Sequence, residues 1–241
     1  MRRNKINWRI PKGVEPTELD KKVLEYQAKG HLCPSRNLIK TPEQIEGIRK
    51  SGIINTGVLD LVAKEIRAGM STLEIDKLVY EYTRDHGAIP ACLGYEGFPK
   101  SCCTSVNEVV CHGIPSEYEV LEEGDIINVD VSTIYNGYFS DSSRMFCIGE
   151  VGEEKKRLVQ VTKECVEVGL QQVKPWGFLG DMGSAVHEHA LKNGYTDICF
   201  VDDRMTGSCM DFPIVGVCAD IPKLNDGNTD FIIGIGNNAV R

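Results

Sequence analysis

Apolar residues along the chain switch from a helical period to a strand period and back, and the switches mark out its elements. Ile45, Ile48, Leu59, Val62 and Ile66 recur at helical spacing behind Thr41-Pro42-Glu43-Gln44, a start signal in which threonine caps, proline takes the first turn and glutamine reaches back. Gly69 ends this predicted helix. Ser71-Thr72-Leu73-Glu74 opens a second by the same logic, with Ile75, Leu78, Val79 and Tyr82 on its apolar face and Gly87 beyond its end. A third is predicted from Glu153 to Val173, carrying Leu158, Val161, Cys165 and Val168 and stopped by Pro175; a fourth spans Asp181 to Lys192, before Gly194. Residues 1–40 read as an amino-terminal extension rich in charge and proline, with a candidate helix over Lys21 to Lys29. Residues 41–241 read as the main unit.

Between the second and third helices the period drops to two. Ile126-Ile127-Asn128-Val129-Asp130-Val131-Ser132 alternates as a half-buried strand does, and Asn136-Gly137 is a preferred pair for a tight hairpin turn. With that pair at the tip, Ser132 faces Asp141, so Asp130 and Asp141 lie diagonally on one face. Two carboxylates at close range raise a pKa or repel unless a cation sits between them, and a divalent metal is the obvious guest. On the hairpin alone a second reading stands level with this one: both aspartates exposed at strand ends or turns, or separated by a bulge that changes the register. His187 and His189 lie two apart on a predicted helix, where side chains point to different sides, and are read as surface or helix-end residues rather than metal ligands.

The chain around the hairpin resembles a known family. Cys92-Leu93-Gly94-Tyr95, Phe98-Pro99-Lys100-Ser101, Cys103-Thr104-Ser105-Val106-Asn107-Glu108-Val109-Val110-Cys111-His112-Gly113-Ile114-Pro115, Asn128-Val129-Asp130-Val131 and Gly137-Tyr138-Phe139-Ser140-Asp141-Ser142-Ser143-Arg144-Met145-Phe146 are similar to the type I methionine aminopeptidases. The resemblance implies an α/β (α+β) pita-bread fold: a curved, mostly antiparallel sheet with helices on its outer face, in two pseudo-symmetric halves. It implies a cytoplasmic enzyme, acting on nascent peptide N-termini, that removes the initiator methionine when the second residue is small, by hydrolysis with water activated by two divalent ions (Co, Mn, Fe or Zn). Asp130 and Asp141 would be metal ligands. His112 would be the catalytic and substrate-binding histidine beside the metals, and Cys92, Tyr95, Phe98 and Cys103 would line the pocket for the methionine side chain. Glu96 departs from the pattern, standing where some relatives carry histidine.

The second half of the chain keeps the outline of the family without its ligands. The family pattern has a His-Gly pair after a strand resembling Ile198-Cys199-Phe200-Val201, a further histidine, a glutamate in a Phe-Thr-Ile-Glu-Pro segment and a last glutamate. After Glu188 and His189 this chain holds no glutamate and no histidine, and residues 202–241 depart from the pattern. Three accounts follow: a late shift or truncation of the coding sequence, which is favoured; a non-catalytic peptide- or ribosome-binding relative; or substitute oxygen ligands among Asp202, Asp203, Asp211, Asp220, Asp226 and Asp230.

Composition narrows the class. With 241 residues, 41% hydrophobic and 26% charged, the chain is sufficient for one large α/β domain or two small ones. A net charge of −8 argues against DNA or general nucleic-acid binding. No run approaches the roughly 18 apolar residues of a membrane span, and the basic start lacks the apolar core of a secretory signal. The ten cysteines contain no Cys-x-x-Cys pair and are read as reduced thiols that serve packing, with vicinal Cys102-Cys103 the one place where oxidation or a soft metal would matter. A monomer is expected, and the basic amino terminus is a candidate ribosome contact.

Overall fold

The computed structural model describes residues 8–10, 12–195, 200–201, 206–209, 212–217, 220 and 223. Five helices are described, α1 (Glu18–Ala28), α2 (Pro42–Glu65), α3 (Thr72–Asp85), α4 (Glu153–Gln171) and α5 (Leu179–Lys192). Both predicted capping boxes form. The Thr41 amide donates to Gln44 Oε1 at 2.9 Å while Thr41 Oγ1 accepts from the Gln44 amide, and Ser71 and Glu74 repeat the exchange at the head of α3.

Four strands form one sheet: β1 (Ile89–Pro90), β2 (Cys103–Val106), β3 (Ile126–Tyr135) and β4 (Tyr138–Cys147). β1 and β2 pair with one edge of β3 and β4 with the other, all antiparallel. The β3–β4 turn holds Asn136 at φ 50° and Gly137 at φ 80°, the left-handed pair that a two-residue hairpin of matching twist requires.

Helices α2 and α3 cover one face of this sheet. Val58, Leu59 and Val62 of α2 and Ile75 and Val79 of α3 pack against Ile127, Val129, Val131 and Phe146 in a single buried cluster. Each such side chain contributes about 1.5–3 kcal/mol relative to exposure. The helical period along α2 is kept only where the sheet lies beneath it. Ile45 and Ile48, expected on the apolar face, are 48% and 37% exposed, because the first turns of α2 overhang the hairpin tip. Tyr138 lies so close under this part of the helix that a Cβ at Gly47 would overlap its ring.

A polar seam runs through this apolar interface. Asn55, 1% exposed, donates from Nδ2 to the Val131 carbonyl at 2.6 Å and to Thr133 Oγ1 at 3.2 Å, and its Oδ1 accepts from Ser142 Oγ. One turn earlier, Ser51 Oγ donates to the Thr133 carbonyl at 3.1 Å and meets Ser140 Oγ at 2.7 Å. Further along, Arg144 reaches Asp60 at 3.0 Å. The α2 helix therefore grips both strands of the hairpin by hydrogen bonds that only one register satisfies.

The remaining elements frame this core. Lys155 on α4 donates to Asn107 Oδ1 at 2.8 Å and to the Gly124 carbonyl at 3.0 Å, and α5 packs on α4. His189 is more than a surface residue, since its Nε2 meets Glu164 Oε2 of α4 at 2.8 Å. At the amino end, Trp8, Val23 and Cys33 form a small core of their own, tied by Trp8 Nε1 donating to Asp20 at 2.8 Å. Tyr26 of α1 then contacts the Trp176 and Phe178 rings in the α4–α5 connection at 5.7 and 6.1 Å. Beyond α5, three short strands, β5 (Phe200–Val201), β6 (Ser208–Cys209) and β7 (Phe212–Gly216), form a second sheet in which β5 is parallel to β7 and β6 antiparallel. The helix-helix-strand order thus recurs, with the second half built on much shorter strands among the described residues.

Replacing Asn55 with alanine leaves the Thr133 and Ser142 hydroxyls without their buried partner. The expected loss is about 2–4 kcal/mol, read from urea denaturation; an unchanged midpoint would show that the seam does not hold the hairpin.

Candidate functional site

The face of the sheet turned away from α2 and α3 carries the candidate chemistry. Strand alternation sends Val129, Val131 and Thr133 into the core and leaves Asn128, Asp130 and Ser132 on the opposite side. The register places Ser132 opposite Asp141 and Asp130 opposite Ser143, with no bulge between them. Asp130 and Asp141 therefore share the open face diagonally, and the reading that separated them by a bulge does not hold. Asp130 is half-buried and Asp141 exposed. Burial first, and then the charge and hydrogen bonding of Asp141, push the Asp130 carboxyl up to about 6 from the ordinary 3.8.

Cys103 lies opposite Asp130 on the other flank, through the β2–β3 pairing. Cys92 follows Ala91, whose amide donates to the Ser132 carbonyl at 2.8 Å. Cys103 first, and Ser132 after it, lie within reach of the Cys92 thiol and pull it below the usual thiol range. Cys103, buried beside it, is pushed well above that range, by Cys92 first and then by desolvation. The vicinal pair singled out in the sequence does not act as a pair. Successive strand residues point to opposite faces, so Cys102 is sealed in the core, its Sγ 3.9 Å from Asp76 Oδ1, while Cys103 faces Cys92.

The segment between Cys92 and Cys103 leaves the sheet and returns to it, carrying Tyr95 and Phe98. It closes on itself through Tyr95 N donating to Cys92 O at 3.0 Å, Phe98 N to Tyr95 O at 2.9 Å and Gly94 N to Phe98 O at 2.8 Å. Glu96 at its tip takes φ 48°. Tyr95 is 56% exposed and Phe98 half-buried, so the two rings stand at the rim of the loop.

His112 sits on the far side of β2 with φ 59°, a left-handed conformation that costs an ordinary residue about 1 kcal/mol or more. The next residue explains how it is held. Gly113 donates to Ser105 Oγ at 3.2 Å and accepts from the Thr104 amide at 2.9 Å, and a Cβ at this position would overlap the Thr104 carbonyl. The His-Gly pair is thereby clamped to β2, with the imidazole exposed.

Hard carboxylate oxygens that repel one another in a partly desolvated spot fit a divalent cation, which would relieve the cost that Asp130 carries. Among the described residues, no group of three or more histidine, cysteine, aspartate or glutamate side chains is gathered to hold a metal, so Asp130 and Asp141 would supply only part of a coordination shell. Asp220, one of the candidate substitutes, is engaged elsewhere: Lys223 donates to it at 2.9 Å and the Val217 amide at 3.2 Å. Asp202, Asp203, Asp211, Asp226 and Asp230 lie outside the described residues. Ser51, Asn55, Ser132, Ser140 and Ser142, which support or flank the aspartates, were not singled out from sequence. The one available signal was Asn55, a polar residue inside the apolar stripe of Ile54, Val58, Leu59 and Val62.

Comparison with known proteins places the chain. The model of metallopeptidase family M24 matches residues 46–225. A methionine aminopeptidase A of Synechocystis sp. is 47% identical over 153 residues, 64% of this chain and 60% of that protein, and the methionine aminopeptidase of Escherichia coli is 40% identical over 159 residues, 66% and 60% respectively. The crystal structure of methionine aminopeptidase from Rickettsia prowazekii is similar with a TM-score of 0.64 and 39% identity, covering 68% of this chain and 65% of that one. The aligned part spans about 60% of the length of these two curated relatives. The pita-bread α/β fold expected from sequence is borne out, and a metallopeptidase family implies divalent metal ions. The chain belongs to metallopeptidase family M24, and within it is similar to methionine aminopeptidases.

Proposed function

We propose that this chain removes the initiator methionine from nascent polypeptides whose second residue is small. The observation that carries the proposal is the Asp130–Asp141 pair, two carboxylates on one sheet face with Asp130 pushed up to about 6 by burial and then by the charge of Asp141. In this reading Asp130 and Asp141 hold two divalent ions drawn from manganese, iron, cobalt and zinc. When bound, such ions lower the pKa of water and polarise the scissile carbonyl.

The chain's own residues do the rest. Cys92, Tyr95, Phe98 and Cys103 receive the methionine side chain, since thiols and aromatic edges suit a thioether. His112, fixed by the Gly113 clamp, presents its ring nitrogen to the substrate as a hydrogen-bond donor and proton carrier. With no histidine or glutamate after His189, any further side-chain carboxylate from the tail is an aspartate. Residues 41–241 form the aminopeptidase unit in this reading, and residues 1–40 an extension that meets the ribosome; the protein works as a cytoplasmic monomer. No described helix is long and apolar enough to cross a membrane.

A Met-Ala-Ser peptide incubated with the purified chain and manganese or cobalt should release methionine. Asp130→Asn should lower the rate about 100-fold or more. Peptide that binds without release would replace the hydrolase with a binding relative.

Metal dependence also has a signature in stability. Folded Asp130 holds its proton more tightly than the unfolded chain does, so between the ordinary 3.8 and about 6 the folded state binds more protons. This group's contribution is therefore complete at low pH and is lost as pH rises through that window. Without metal, the stability of the protein relative to Asp130→Asn should fall from pH 4 to pH 7, and manganese should recover more at pH 7 than at pH 5. Urea midpoints for both proteins measure this; a difference that stays flat with pH would remove the buried-charge argument.

A further inference from the structure

β1 and β2 run end to end along the same edge of β3. Pro90 pairs with Thr133 and Cys103 with Asp130, so the loop between them leaves the sheet beside Ser132 and returns two residues away along β3. Residues 130 and 132 present the same face, and the register of β1 and β2 along β3 brings the two ends of the loop, with Cys92 and Cys103, beside each other there; each thiol shifts the proton affinity of the other. Cys102 is excluded by strand alternation and lies against Asp76 in the core. Cys92 is partly exposed, whereas Cys103 is 7% exposed. This juxtaposition is produced by the fold and not by sequence adjacency, and the hydrolysis proposed above leaves both thiols chemically unused.

We propose that Cys92 and Cys103 form a two-thiol modification site that hydrogen peroxide converts to a disulfide, stapling the base of the loop that carries Tyr95 and Phe98. The more accessible Cys92 reacts first. Its sulfur takes one oxygen from the peroxide, giving a sulfenic acid and one water. The Cys103 sulfur then attacks that sulfur; the S–S bond forms, the S–O bond breaks, and a second water leaves with the Cys103 proton. Two electrons pass from the two thiols to one peroxide, and a dithiol reductant reverses the change by exchange. Resting on the pocket reading above, the bridge withdraws both thiols from the methionine side chain and stiffens the rim.

The full chain is treated with hydrogen peroxide, denatured in N-ethylmaleimide and mapped by peptide mass. The expected product is a linked peptide joining Cys92 to Cys103 with the loss of two hydrogens, absent from Cys92→Ser and Cys103→Ser, retained in Cys102→Ser, and cleared by dithiothreitol. A linkage through Cys102, or Cys92 carried to sulfinic acid while Cys103 still alkylates, overturns the proposal. Mapping reads the bond and not turnover, so the pocket reading fails separately. Oxidation should weaken methionyl-peptide affinity about tenfold or more, and a bridge that forms with affinity unchanged keeps the modification site and removes the pocket assignment.

Discussion

The hydrogen bonds from α2 to the back of the β3–β4 hairpin govern the rest of the structure, because they decide which face each hairpin residue occupies. A strand that slips by one residue turns every side chain over. Here a slip would drive Asp130 into a core of valines and isoleucine and bring Val129 or Val131 to the open face. The hydrophobic pattern resists that slip, but Asn55 and Ser51 resist it by a different means. Their partners are the Val131 and Thr133 carbonyls and the hydroxyls of Thr133, Ser140 and Ser142, drawn from both strands. Moving either strand breaks the network at several points inside a low-dielectric core, where each unmade bond is costly. The front of the hairpin carries electrostatic repulsion between two carboxylates, and the back is where that cost is offset.

The same alternation that places the aspartates also sorts the cysteines. Cys102 and Cys103 are neighbours in sequence and strangers in space, one facing Asp76 beneath the sheet and the other facing Cys92 above it. The His112-Gly113 corner follows a comparable logic at the opposite edge of β2. A backbone that approaches the Thr104 carbonyl too closely for any Cβ fixes the chain there, and the left-handed histidine before it inherits its orientation from that contact. Position in the sheet thus assigns role to side chains whose sequence order is uninformative.

What was legible in the sequence was what is local. The capping boxes at Thr41 and Ser71 and the Asn136-Gly137 turn each involve residues within a few positions, and all formed as read. The aspartate diagonal followed from the turn by counting. Ile45 and Ile48 were misplaced because helical period says nothing about where the underlying sheet ends. The Asn55 seam was missed because its partners lie more than 75 residues away, and the Cys92–Cys103 contact because it depends on β1 and β2 sharing one edge of β3. Resemblance located the candidate site residues, while only the coordinates explain what holds them.

The constraint on the proposed metal site comes from the donors the chain can offer. Two carboxylates satisfy a small part of the six or more oxygen positions a hard divalent ion fills, and the pair sits on a face where Asp141 is exposed among the described residues. A relative that brings imidazole to the site gains a borderline ligand, which suits zinc or cobalt. Beyond His189 this chain has no imidazole to bring, and its side-chain carboxylates there are all aspartates. Side-chain donors in that segment are the aspartate carboxylates and the thiols of Cys199, Cys209 and Cys218, so hard oxygen and soft sulfur are both on offer to an ion. An aspartate is also one methylene shorter than a glutamate, so each such donor must be carried closer by its backbone. The sheet face thus offers Asp130 and Asp141 at one fixed register, two of the oxygen donors that the proposed site needs.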